Sequence, residues 1–193
     1  MRTVNIRPGL RIVSLPALIA KARAHTEACL REHGRVMPTL LAPIGSELII
    51  HVAEQSDTEE DKDRFVLECR LLLVASEAKL CAMVLESWIT MAHAHKLPDS
   101  PPSVSPDRRE VITVSAESRT EKGFLIFPIQ RTSLGIFREL GDNTAPAGIT
   151  TSGRFAQVLP PKVPGARVAR MARLSLERMG IRLESPDAGF SAN

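Results

Sequence analysis

Glu86 and Trp88 are the side chains of this sequence best suited by type and spacing to do chemistry. They stand two residues apart in the mostly apolar run 80–90, and Trp88 is the only tryptophan. On an extended strand, Leu80, Ala82, Val84, Glu86 and Trp88 share one face, and Cys81, Met83, Leu85 and Ile89 share the other. In the next strand-like segment Arg109, Val111, Thr113, Ser115, Glu117 and Arg119 lie on one face, with Glu110, Ile112, Val114 and Ala116 opposite. If the Glu86 face aligns with the Arg109 face, an arginine across the strands holds the carboxylate ionised and oriented. Glu86, Trp88, Arg109 and Glu117 thus form a candidate polar cluster. Such a cluster can bind a polar ligand, or it can simply fix strand register. No nucleophile or metal-ligand set stands beside it, so no catalytic residue is assigned.

His93 and His95 form an H-x-H pair at the expected end of that strand, with both rings on one side. Metal sites use this geometry but need further ligands, and Asp99 is the only nearby candidate, so no metal is expected. The sequence has no phosphate-cradling glycine loop, no nucleophile elbow and no zinc-protease helix motif. No cofactor is implied. The three cysteines, Cys29, Cys69 and Cys81, are widely spaced among apolar neighbours, as expected of buried thiols in a reducing cytoplasm.

A second signal lies near the C-terminus. Arg167, Arg170, Arg173 and Arg178 fall on one broad side of an expected helix, with Val168, Ala172, Ser175, Leu176 and Met179 on the other. Such a helix can contact phosphates, an acidic protein surface or a membrane interface, dock its apolar side on its own sheet, or meet the acidic helix start of the same or another subunit. The formal net charge of +3 argues little about the molecule as a whole, but its distribution is uneven. Seven acidic residues lie between Glu54 and Glu68, and seven basic ones between Arg154 and Arg182. With 4% aromatic residues and no tyrosine, extensive stacking surfaces for single-stranded nucleic acid are not expected.

These residues need a scaffold, and 193 residues suffice for one with a sizeable core. Pro16 suits the first turn of a helix with Leu18, Ala22, Cys29 and Leu30 on its apolar positions, and Gly34 suits its end. A hairpin is expected from residues 36–42 and 47–53. Asp57 or Thr58 can cap a second helix, with Glu59, Glu60 and Asp61 matching the dipole and Phe65, Cys69, Leu72, Leu73 and Ser76 on one face. Strands follow near 80–90, 107–119 and 124–131, the last weakened by Pro128, which suits an edge or a bulge. Residues 141–165 are rich in proline and glycine and read as a linker or arm before the basic helix. The expected fold is α+β, an antiparallel sheet of about five strands with helices packed on one face. It occupies residues 1–140, and 141–193 add a basic C-terminal arm and helix. The apolar stretch Ile12 to Ala20 is short, holds Pro16 and runs into Lys21 and Arg23, so neither a leader nor a membrane span is expected.

Residues 71–131 also carry a resemblance. Glu86, Ser87 and Trp88, followed by Pro106 to Val111 and a strand ending Ala116 to Arg119, resemble a pattern in uncharacterised bacterial and phage-type proteins. The resemblance implies a microbial, cytoplasmic origin and transfers no activity. The functional expectation is a non-enzymatic interaction protein, with a protein partner or a homo-oligomer in view. The alternatives are nucleic-acid association through the arginine helix, and a small-ligand site or enzyme built on the Glu/Arg sheet face.

Overall fold

Ser14 opens the first helix, α1 (Leu15–His33), by accepting a hydrogen bond from the Ala17 N–H, with Pro16 in the first turn. Gly34 ends it at φ +72°, its N–H bonded to the Leu30 carbonyl. These details come from a computed structural model that describes residues 2–3, 5–8, 12, 14–90, 104–146, 149 and 153–183. Strands β1 (Arg2–Thr3) and β2 (Asn5–Pro8) precede α1. Strands β3 (Thr39–Ile44) and β4 (Glu47–Val52) form the expected hairpin. Helix α2 (Glu59–Ala75) starts with a reciprocal cap between Thr58 and Asp61. Then come β5 (Leu80–Ile89), β6 (Arg109–Ser118), β7 (Lys122–Arg131), β8 (Phe137–Leu140), α3 (Ala166–Arg178) and β9 (Ile181–Arg182).

The chain is α+β, and its main sheet is antiparallel. Seven strands run in the order β2-β4-β3-β5-β6-β7-β8, and β1 and β9 form a separate parallel pair. About five strands were expected, and the additional ones are the four-residue edges β2 and β8, too short to show a period. Pro128 is not on an edge, because β8 lies outside β7. Its carbonyl accepts from the Gly141 N–H just past the end of β8. Its missing donor faces that same side, so no bond to β6 is lost. The register shift in this pair falls between Gln130 and Arg131.

Helices cover both faces of the sheet, contrary to the one-face expectation. Leu18, Ala22 and Leu30 of α1 pack with Leu41, Ala82, Val84, Ile112 and Val114. On the opposite face Phe65, Cys69 and Leu72 of α2, with Leu176 of α3, pack against Leu40, Ile49, Cys81 and Met83. The physical reason lies in β3, β4 and β5, whose successive residues are apolar on both sides. A strand of that kind has to be covered twice.

The residues after β8 join the α2 side. The buried carboxylate of Glu117 accepts from the backbone N–H groups of Val158 and Leu159, at 3.3 and 3.4 Å. Val158, Leu159, Ala172, Leu176 and Ile181 belong to the same core as α2. Arg154 reaches Glu59 at 2.7 Å and Asp63 at 2.9 Å on the first turns of α2. Among the described residues no helix is long and apolar enough to cross a membrane.

Candidate functional site

Strand β5 turns from apolar to polar where α1 stops. Ala82 and Val84 lie beneath the helix, while Glu86, on the same face as Trp88, reaches the α1–β3 loop. The Val36 N–H in that loop donates to Glu86 Oε2 at 2.7 Å. Register pairs Glu86 with Ile112 and Trp88 with Glu110. The Glu86 face therefore aligns with the Glu110 and Ile112 face of β6, not with the Arg109 face.

The guanidinium that serves this face comes from β7. Arg131 forks onto Glu110, with Nε to Oε2 at 2.7 Å and Nη2 to Oε1 at 2.8 Å, and Nη2 also donates to the Gly34 carbonyl at 3.1 Å. Burial pushes the Glu86 carboxyl up from its ordinary value, and the neighbouring Glu110 charge adds to this against the Val36 bond. The hydrogen bonds from Arg131 hold Glu110 below its ordinary value. The two carboxyls of this face are thus pushed in opposite directions, Glu86 up and Glu110 down. Trp88 is 45% exposed, with the Arg108 guanidinium over its ring at 4.8 Å from the centroid.

The four residues of the expected cluster therefore do not assemble as a set. Glu86 and Trp88 stay together, Arg109 is exposed opposite Ile89, and Glu117 sits opposite Cys81 on the α2 side, anchoring the arm. Glu110 and Arg131 complete the network, and sequence reasoning missed both. Glu110 sat on the strand face set aside, and Arg131 closes the next strand with no spacing signal to Glu86. What the assembled network can do is tie β5, β6, β7 and the α1–β3 loop together.

A second polar pair was also missed. His51 Nε2 lies 3.0 Å from Glu68 Oε2, both side chains are buried, and Arg64 Nε donates to the other oxygen at 3.1 Å. Phe65 stacks on the His51 ring at 5.4 Å between centroids. The cavity beside Glu68 measures about 40 Å3, room for a water and not a substrate. The available signal was the Arg64–Glu68 spacing of four on one helix.

The α3 arginines are divided by the way the helix docks. Ala169, Ala172 and Leu176 are buried, and Arg173 Nε donates to the Ala75 carbonyl at the end of α2, at 3.1 Å. Arg167, Arg170 and Arg178 are exposed and make no hydrogen bond or ion pair among the described residues. Val168 was expected on the inner side but is 56% exposed, beside Met171 at 56% and Leu174 at 40%. Ala169, Ala172 and Leu176 form the docked side of α3, which leaves Val168 on the outward side.

Cys69 and Cys81 are buried, and burial pushes both thiols well above their ordinary value. Cys29 Sγ lies 3.6 Å from His25 Nε2 one turn back on α1. His93 and His95 lie outside the described residues. Among the described residues no group of three His, Cys, Asp or Glu side chains is placed to hold a metal ion. Comparison of the chain with protein-family models, curated proteins and solved structures finds no match in any of them.

Proposed function

We propose that this chain is a non-enzymatic interaction protein that pairs with a second copy of itself through the outer surface of α2 and α3. The observation that carries this reading is the outward apolar set on two helices packed side by side. Leu67 of α2 is 50% exposed, and Val168, Met171 and Leu174 are exposed on α3, which packs against α2. The helices differ in charge. α2 opens with exposed Glu60, beside Glu59 and Asp63 that already hold Arg154, and α3 presents Arg167, Arg170 and Arg178. An isologous two-fold contact sets α2 of each copy over α3 of the other, so opposite charges meet twice around an apolar centre. Three free cysteines, two of them buried, favour the reducing cytoplasm as its compartment.

Size-exclusion chromatography with light scattering over a concentration series tests this. The wild-type chain is expected to be dimeric, and the double change Met171→Glu and Leu174→Glu to make it monomeric with its fold retained. A wild-type chain that stays monomeric at the highest concentration would remove the proposal. The unpaired arginines favour a second reading, phosphate contact with nucleic acid. That reading requires duplex binding that weakens steeply with salt and with Arg167→Ala and Arg170→Ala.

A further inference from the structure

A cleft of about 430 Å3 opens where the β3–β4 hairpin, the end of α2, α3 and β9 meet. Its floor is apolar, from Ile49, Leu176 and Ile181. Its rim carries Arg173 and Arg182 with Glu47 and Glu177, two charges of each sign. The size and the apolar floor with a few convergent polar groups are those of a small-molecule site.

The rim charges set the ligand class. The side chains of Arg182, Glu47 and Glu177 make no hydrogen bond or ion pair among the described residues. Arg173 is anchored through Nε to the Ala75 carbonyl, which fixes the guanidinium plane while Nη1 and Nη2 have no partner among the described residues. An arginine held in this way is already oriented for a carboxylate before any ligand arrives. A ligand with one charge would cover half of the rim groups and leave the others facing it without partners. A ligand with both charges on an apolar body satisfies the two pairs and the floor together.

We infer that this cleft binds a small zwitterion with an apolar body, of the free amino acid or short apolar peptide class, its carboxylate on Arg173 and Arg182 and its ammonium on Glu47 and Glu177. This inference is independent of the pairing proposed for the outer surface of α2 and α3.

Isothermal titration of the full chain with leucyl-leucine tests it, beside N-acetyl-leucyl-leucine, leucyl-leucinamide and hexanoate. Saturable binding of the dipeptide is expected, with a loss of about tenfold or more for each form that lacks one charge. Arg173→Met also breaks the bond to Ala75, so Arg182→Gln and Glu177→Gln are the decisive variants. Each is expected to weaken the dipeptide by about tenfold with an unchanged melting temperature. Absence of saturable dipeptide binding overturns the inference, as does equal binding of the capped forms or of hexanoate. So does indifference of the dipeptide to both variants.

Discussion

At the sheet end, Arg131 bonds to Glu110 and to the Gly34 carbonyl, and Glu86 accepts from the Val36 N–H, so these side chains are tied to the backbone of residues 34–36. On α3, the side chains of Arg167, Arg170 and Arg178 bond to nothing among the described residues and stand among exposed Val168, Met171 and Leu174. The two regions use similar residue types, an exposed hydrophobe beside charges, to opposite ends. A charge whose hydrogen bonds are all taken within the fold is holding strands in register. One left in water among apolar neighbours contributes little to stability and remains available to a partner. Identity of residue type therefore does not distinguish a structural charge from a functional one, whereas its partners do.

If satisfied polar networks hold the fold, the buried His51–Glu68 pair should show the largest effect. Glu68→Ala removes the carboxylate that faces His51 Nε2 at 3.0 Å and strands a buried polar ring. A loss of about 3 kcal/mol is expected in denaturant unfolding. A loss below about 0.5 kcal/mol, the scale of an ordinary surface change, would show that this pair does not hold α2 to β4.

Next in size is Arg131→Met, which leaves Glu110 without its fork and the Gly34 carbonyl without a donor. Because the pair is partly open to solvent, about 1.5 kcal/mol is expected, read as a shift of the urea midpoint. The same variant should raise amide exchange in residues 34–36, where the loop loses its tie. Unchanged exchange would mean that the loop is held by other contacts.

How much of this was legible follows from the range of each interaction. Helices α1 and α2 announce themselves through Pro16, Gly34, Thr58 and the apolar spacing of Phe65, Cys69 and Leu72, all local signals. That Glu86 and Trp88 share a face follows from strand period alone. Register does not, since a slip of one residue exchanges Arg109 for Glu110 as the group beside Glu86. Nothing near β5 specifies which of the two the long connection to β6 will deliver. Arg131 is a further strand away, and its role depends on two pairings at once. On α3 the arginine spacing leaves comparable apolar content on either side, so which side docks is decided by α2, outside the local sequence.

A pH series separates the two carboxylates of the sheet end. Glu86 is raised in the folded chain, chiefly by burial, so its contribution is complete below its ordinary value of 4.5 and is lost as pH rises through the folded value. Glu110 runs the other way. The Arg131 bonds lower it, so its contribution is present above 4.5 and is lost as pH falls through its own folded value. Glu86→Gln removes the titration. Relative to the wild type, the variant should become more stable as pH rises above 4.5, by roughly 0.5 kcal/mol because the half-buried carboxyl is screened by solvent. Parallel stability curves for the two proteins would mean that Glu86 does not titrate differently in the folded state.

The smallest effect on stability belongs to the residues assigned to a partner. Arg167→Ala and Arg170→Ala remove side chains with no partner among the described residues, so each should move the unfolding free energy by less than about 0.5 kcal/mol. If those arginines meet the acidic start of α2 on a second copy, the same changes should weaken pairing, and rising salt should weaken it in the wild type as well. Sedimentation equilibrium at low and high salt reads both. Arg173→Ala provides the internal control, because its bond to the Ala75 carbonyl makes it part of the fold. It should lower stability where its two neighbours do not, and an equal loss from all three would place the whole helix face on the structural side of the comparison.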